Sequence, residues 1–211
     1  MFWSYFLSHQ SVVFGYLEQH IEITLITLVI ASAIALPVGT AVARFSFLYV
    51  PVMAILGVIY TIPSLALLAL LVPTFGIGQE PAIIALVAYA QFILVRNVVV
   101  GLRGVDASVL EAARGMGMNR AQLLLKIEYP LALPVMLGGL RIATVATIAI
   151  ATVAAYIDAG GLGRLMFDGL NENNIPELVT GTVAVSILAI VADIILRLVD
   201  RMLPGARAKA V

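Results

Sequence analysis

From Phe45 to Gln79 the chain carries no charged side chain, and from Ile23 to Ala43 it carries none either. A charge-free run of roughly 20 mainly apolar residues is long enough to cross the hydrocarbon core of a bilayer as a helix. The run from Phe45 to Gln79 is too long for one such helix and its ends, so it holds a span and a turn. Extending this reading along the chain places spans at about 21–43, 49–73, 81–101, 134–157 and 178–198. Pro73-Thr-Phe-Gly-Ile-Gly78 separates the second from the third, because Pro and paired Gly punctuate helices. Pro81 suits the first turn of the helix that follows. The expectation is an all-α membrane protein with five transmembrane helices and no room for a soluble catalytic domain.

Composition agrees with this reading. Apolar residues make up 62% and charged residues 11%, against about 45–50% and 25% in soluble domains. Twelve Lys and Arg balance twelve Asp and Glu, which argues against a basic nucleic-acid binder. The chain has no cysteine, so thiolate nucleophiles and thiolate metal sites are excluded. His9 and His20 make no metal site unless carboxylates come close in space, and are read as interfacial or structural.

Orientation follows from Lys and Arg at span ends. With the segment between spans three and four inside, Arg44, Arg96, Arg103, Arg114, Arg120, Lys126, Arg197, Arg201, Arg207 and Lys209 all fall inside. Arg164 falls outside, and Arg141 lies within span four. The expected topology has the N-terminus outside and the C-terminus inside. Residues 1–20 lack a basic region ahead of an apolar core, so no cleaved signal peptide is expected. They are rich in aromatics (Phe2, Trp3, Tyr5, Phe6, Phe14, Tyr16), which prefer the lipid–water boundary. They are read as an external interfacial segment, 21–203 as the transmembrane domain with a cytoplasmic segment at 104–130, and 204–211 as a cytoplasmic tail.

Residues 104–134 are the most informative stretch. Ser108 and Glu111 have the spacing of a capping box, and Asn119 and Gln122 repeat it. Gly115 and Gly117 between them are able to stop a helix and reverse the chain. Pro130 and Pro134 are expected to interrupt the second helix. The result is a short helix, a turn and a second helix, with Val109, Leu110, Ala112, Ala113 and Met116 forming a small apolar surface. Such a surface fits a groove on a partner protein, or it is simply the packed face of a connecting loop.

Glu111-Ala112-Ala113, then Gly115 and Gly117, then Ile127 and Leu133-Pro134 resemble the EAA signature of ABC importer permeases. Several further stretches resemble the quaternary-amine osmoprotectant permeases in particular. These are Gln19-His-Ile-Glu-Ile-Thr24, Thr61-Ile-Pro-Ser-Leu-Ala-Leu-Leu-Ala-Leu70, Phe75-Gly-Ile-Gly78 with Pro81-Ala-Ile, and Arg96-Asn97 with Gly101 and Gly104-Val-Asp-Ala107. Ala159-Gly-Gly-Leu-Gly163 is shared with the D-methionine permeases.

The resemblance implies the type I ABC importer permease (MetI-like) fold and covers about 19–203. It implies that the cytoplasmic segment 104–130 holds a coupling helix docking on an ATPase, with Glu111, Ala112, Ala113, Gly115, Gly117, Leu133 and Pro134 as the coupling residues. It also implies two ABC ATPase subunits carrying ATP and Mg, a second permease copy or paralogue, and an extracytoplasmic substrate-binding protein. No cofactor is expected on this chain, which lacks a Gly-x-x-x-x-Gly-Lys-Ser/Thr phosphate loop. The expected activity is ATP-driven import of glycine betaine, choline or carnitine across a bacterial or archaeal plasma membrane, without chemistry on this chain. Glu111 is read as a capping and docking residue, not a base.

A quaternary ammonium donates no hydrogen bonds and is held by aromatic faces. Tyr60, Thr61, Ser64 and Tyr89 are therefore pathway candidates beside the bend expected at Pro63, with ordinary helix packing as the alternative. Gly160, Gly161 and Gly163 are candidates for an outer gate or for the surface that meets the binding protein. Arg141 is a functional candidate if it sits inside the membrane, unless it snorkels to the surface. Asp193 and Arg197 are spaced to pair. Other substrates compatible with the resemblance are ergothioneine and D-methionine. An ion-coupled secondary transporter is disfavoured, because the acidic residues lie near span ends or in loops.

Overall fold

The computed structural model describes residues 2–202. The tail at 204–211, with Arg207 and Lys209, lies outside the described residues, as does the Phe2 side chain. The described chain is helical throughout, in the order α1 (Phe2–Ser8), α2 (Gln10–Arg44), α3 (Tyr49–Thr61), α4 (Ser64–Phe75), α5 (Gln79–Arg103), α6 (Ala107–Gly115), α7 (Arg120–Leu123), α8 (Tyr129–Ala154), α9 (Gly163–Asn171) and α10 (Ile175–Met202).

Among the described residues four stretches are long and apolar enough to cross a membrane: α2, α5, the continuous run Arg120–Ile157, and α10. A fifth arises if α3 and α4, which meet at 94°, are counted as one broken span. The bend is built from Ile62 and Pro63. Pro63 has no N–H to continue the ladder, and both residues are extended, with ψ of 131° and 132°. The second span is therefore two half-helices, broken at the proline where the sequence places the bend.

α5 is the central helix. It lies along α2 on one side and α8 on the other, and it buries Ala85, Leu86, Tyr89, Leu94, Val95, Val98, Val99 and Leu102. Small residues let these helices approach closely. A Cβ placed on Gly139 would meet the Asn97 side chain at 2.4 Å. Gly138 beside it faces open space, so of this small-residue pair only Gly139 serves packing within the chain. α10 packs against α8, α9 and α1 and leaves most of its apolar surface exposed, as suits a helix facing lipid or another subunit.

Three local expectations change. α2 begins at Gln10, so residues 10–20 continue the first span and no helix break falls at 20/21. Ser108 does not cap α6: the helix starts at Ala107, and the Asp106 carboxylate accepts from the Ser108 N–H at 2.8 Å. Pro130 and Pro134 do not interrupt the second helix. A π turn at Leu124–Glu128 precedes them, in which the Tyr129 N–H donates to the Leu124 carbonyl, one residue further back than in an α-helix. The wider turn shifts the ladder just where Pro130 offers no donor, and the helix runs on.

Candidate functional site

The bundle has two distinct ends. At the arginine-rich end, the α6–α7 segment is held in shape by its own backbone. The Gly117 N–H donates to the Arg114 carbonyl at 2.9 Å, and the Met118 N–H to the Ala113 carbonyl at 3.2 Å. With Gly117 at φ +82°, this is a Schellman cap, which needs a left-handed residue after the helix. Asn119 and Gln122 then start α7 with a reciprocal capping box at 2.9 and 3.0 Å, as their spacing predicts. The Ser108 hydroxyl and backbone together hold the Asp106 carboxyl below the usual carboxylate range.

Within this segment the expected coupling residues separate into two groups. Glu111, Ala112, Gly115, Gly117 and Met116 are exposed, whereas Ala113 is buried. A Cβ on Gly115 would meet nothing within 4 Å, so no neighbour in this chain demands glycine there. Leu133 and Pro134 are half-buried, a little over one turn into α8.

The segment is anchored to the spans beside it. Arg44, the last residue of α2, pairs with Glu128 of the π turn, a carboxylate only 3% exposed. Thr40 and Tyr129 share a hydrogen bond at 2.7 Å. Arg103 at the end of α5 donates to the Val42 carbonyl at 2.9 Å and lies over the Tyr49 ring.

At mid-bundle the structure gathers all four pathway candidates around the α3–α4 break. The Tyr89 hydroxyl donates to the Ile62 carbonyl at 2.6 Å. Tyr60 packs edge-on to Tyr89 and stacks on Phe92, with centroids 6.1 and 5.1 Å apart. Ser64 begins α4 across the break. Thr61 is exposed and donates to the Val58 carbonyl. Tyr89 is buried and satisfies the Ile62 carbonyl, which the extended backbone at the break leaves outside either helix, so it pins the bend. Tyr60 is 38% exposed and presents its ring at the edge of a crevice between α5 and α8 that is too narrow to hold water.

The opposite end holds the glycine candidates, and the tie that fixes them was not legible from the sequence. Gly160 and Gly161 have φ of +81° and +76°, a region glycine enters without strain. The Gly161 N–H donates to Gln19 Oε1 at 3.1 Å, and the Leu162 N–H donates to His20 Nδ1 at 3.2 Å. The other ring nitrogen, Nε2, donates to the Ile148 carbonyl at 3.1 Å. These two contacts fix the tautomer: Nδ1 must accept, so His20 is neutral with its proton on Nε2. His20 is 1% exposed and is a structural clasp. Gly163 begins α9 so close to α8 that a Cβ there would collide with the Thr152 carbonyl.

A polar pocket of about 360 Å3 opens beside this clasp, lined by Tyr16, Gln19, Gln79, Asp158 and Arg164. Arg164 forks between Asp168 (3.0 Å) and Asp158 (2.9 Å), and the Asp168 hydrogen bond holds the guanidinium above its usual range. Tyr5 of α1 lies nearby, where burial and then Glu177 push its phenol up to about 12. Arg141 does not stand alone. It donates twice to Asp193 Oδ1 at 2.8 and 3.0 Å, and Asp193 also accepts from Arg197 as the spacing predicted.

A broken second span, a central α5 and a capped double helix between the third and fourth spans define the MetI-type importer permease fold. The chain superposes with a TM-score of 0.85 over 93% of its length on a solved chain described as "Inward facing conformations of the MetNI methionine ABC transporter". That similarity covers 98% of the solved chain at 23% identity. A second structure, "Crystal structure of an amino acid ABC transporter with histidines", gives 0.78 at 18% identity, covering 96% of this chain and 99% of that one.

The chain belongs to the family of binding-protein-dependent transport system inner membrane components, whose profile matches residues 24–204. It is 40% identical over 193 residues to the carnitine transport permease protein OpuCB of Listeria monocytogenes, covering 91% of this chain and 88% of that one. It is 39% identical over 188 residues to the choline transport system permease protein OpuBB of Bacillus subtilis (89% and 87% covered). It is 38% identical over 188 residues to the osmoprotectant import permease protein OsmW of Salmonella typhimurium (85% and 87% covered). The chain is thus a multi-pass membrane permease of the ABC transporter class.

Proposed function

We propose that this chain imports quaternary-ammonium compatible solutes such as glycine betaine, choline and carnitine. The observation that carries the reading is the capped α6–α7 segment with Glu111-Ala-Ala, Gly115 and Gly117 exposed at the arginine-rich end. It is supported by full-length similarity to permeases named for carnitine, choline and osmoprotectants. In this reading the arginine-rich end faces the cytoplasm, the C-terminus is inside and the N-terminus outside. α6 docks on one of two ABC ATPase subunits, which bind ATP and Mg. A second permease copy or paralogue completes the pathway, and an extracytoplasmic binding protein delivers substrate to the Gly160–Gly163 end.

ATP-driven closure of the ATPase pair moves α6, and the rigid run Arg120–Ile157 carries that movement into the bundle. The α3–α4 break lines the passage, with Tyr60 offering an aromatic face to the cation and Thr61 and Ser64 offering hydroxyls. Tyr89 positions the break. Substrate passes without tight binding.

The experiment is uptake of radiolabelled glycine betaine into vesicles that carry this chain with its cognate ATPase and loaded binding protein, with and without ATP. ATP-dependent uptake that Gly115→Asp abolishes supports the reading, because that site is open in this chain and a side chain there obstructs only a docked partner. Uptake that ignores ATP and follows an ion gradient sinks it. Transport of D-methionine or ergothioneine in place of betaine keeps the mechanism and changes the substrate.

A further inference from the structure

A cleft of about 600 Å3 at the arginine-rich end, with three arginines set among apolar side chains, has no part in the proposed transport cycle. Its lining includes Arg44, Arg114 and Arg120, with Phe45, Ala121 and Leu123. Only Arg44 has a carboxylate partner there, Glu128. Among the described residues the guanidiniums of Arg114 and Arg120 have neither an ion pair nor a hydrogen bond. Two unmatched positive charges thus share one concave wall. A cleft lined by one sign of charge concentrates its field on whatever enters, and the planar guanidinium fork matches a carboxylate.

We propose that this cleft receives an acidic side chain of the ATPase subunit, a second contact beside the α6 docking face. The proposal rests on the permease reading. Its partner is chosen by position. Arg114 ends α6 and Arg120 opens α7, so both free charges ride on the segment that the ATPase covers. Arg120 precedes Glu128 by eight residues, about 12 Å along the helix that continues into the α8 span. Glu128 pairs with the last residue of α2 and marks the level where that span ends. The lipid headgroup layer is only about 5–8 Å deep on each side, so a helix rising along the membrane normal carries Arg120 past it, toward the docked subunit of the permease reading. An acid seated there also reaches Arg44 and competes with Glu128 for it. The ATPase then grips the end of α2 as well as α6.

The test uses the assembled permease–ATPase complex. Arg114→Lys and Arg120→Lys keep the charge and add an amine to a chain whose only lysines are Lys126 and Lys209. A zero-length carbodiimide joins an amine only to a carboxylate in contact with it. The expected result is a new cross-link from position 114 or 120 to an Asp or Glu of the ATPase, located by mass spectrometry. The double reversal Arg114→Glu with Arg120→Glu is expected to weaken assembly at least about tenfold and to flatten its salt dependence. No cross-link, with assembly unchanged in the double reversal, overturns the proposal. Assembly unchanged but a lost dependence on anionic phospholipid vesicles assigns the cleft to a headgroup and also overturns it. A wild-type chain that neither binds the ATPase nor supports uptake sinks the permease reading itself, and this proposal with it.

Discussion

Replacing His20 with alanine removes both ends of the clasp that joins α2 to the glycine loop. The imidazole is 1% exposed and bridges the Leu162 N–H and the Ile148 carbonyl. The Ile148 carbonyl keeps its place in the α8 ladder, so its loss is small. The Leu162 N–H is left buried without an acceptor, at about 1–3 kcal/mol. Truncating a buried ring adds a cavity, and large-to-alanine changes in cores run at about 2–5 kcal/mol. Taken together the expectation is about 3–5 kcal/mol. For a chain of this length that lowers the thermal midpoint by on the order of 10 °C. The assay is thermal unfolding of the purified complex in detergent, with amide hydrogen exchange across 159–163. Leu162 should be protected in the parent and exchange quickly in His20→Ala. His20→Gln keeps an acceptor and a donor on one side chain and should recover about half the loss. Uptake should fall while ATPase assembly, at the far end of the bundle, is unchanged. A midpoint within about 2 °C of the parent, with Leu162 still protected, would refute the clasp.

Other consequences are as direct. Tyr5 has a phenol raised from 10.0 to about 12, so the protonated form is favoured in the fold. Its contribution is complete below about 10 and is lost as pH rises from 10 to 12, and Tyr5→Phe should remove the highest component of the ultraviolet tyrosine titration. Asp193→Asn leaves Arg141 half-buried without its anion and should lower the thermal midpoint, by less than breaking a fully buried pair would. Adding Arg141→Gln should restore part of that loss in the same melting assay. Gly117→Ala places a Cβ at φ +82° and should cost about 1 kcal/mol; exchange at the Met118 amide should rise, and ATPase coupling should weaken without loss of the spans.

The spans were legible because charge is nearly absent from them, and the bilayer leaves so few alternatives that helix number follows from charge-free length. The Asn119–Gln122 cap was legible for the same local reason: one residue pair satisfies it. The α6 start was misplaced because Asp106 and Ser108 are both good caps two residues apart, and only the backbone decides between them. Pro63 announced a bend, but neither its 94° angle nor the Tyr89 hydroxyl that takes up the Ile62 carbonyl, a contact 27 residues away, is written in the local sequence. The clasp lay furthest from view. Gln19-His20 and Ala159–Gly163 each stand out in the sequence, yet nothing periodic joins stretches 142 residues apart.

The π turn at Leu124–Glu128 acts as a vernier between the docking helices and the membrane. It holds one residue more than an α-helical turn needs. Deleting that residue, for instance Leu125, which is 63% exposed, would let the run from Arg120 to Ile157 close into an unbroken α-helix. Everything before it would then swing by about 100° and shift by about 1.5 Å relative to the spans. Glu111, Gly115 and the free arginines would keep their local geometry and point the wrong way. In the proposed scheme the single surplus residue sets the compass bearing on which an ATPase would engage the permease.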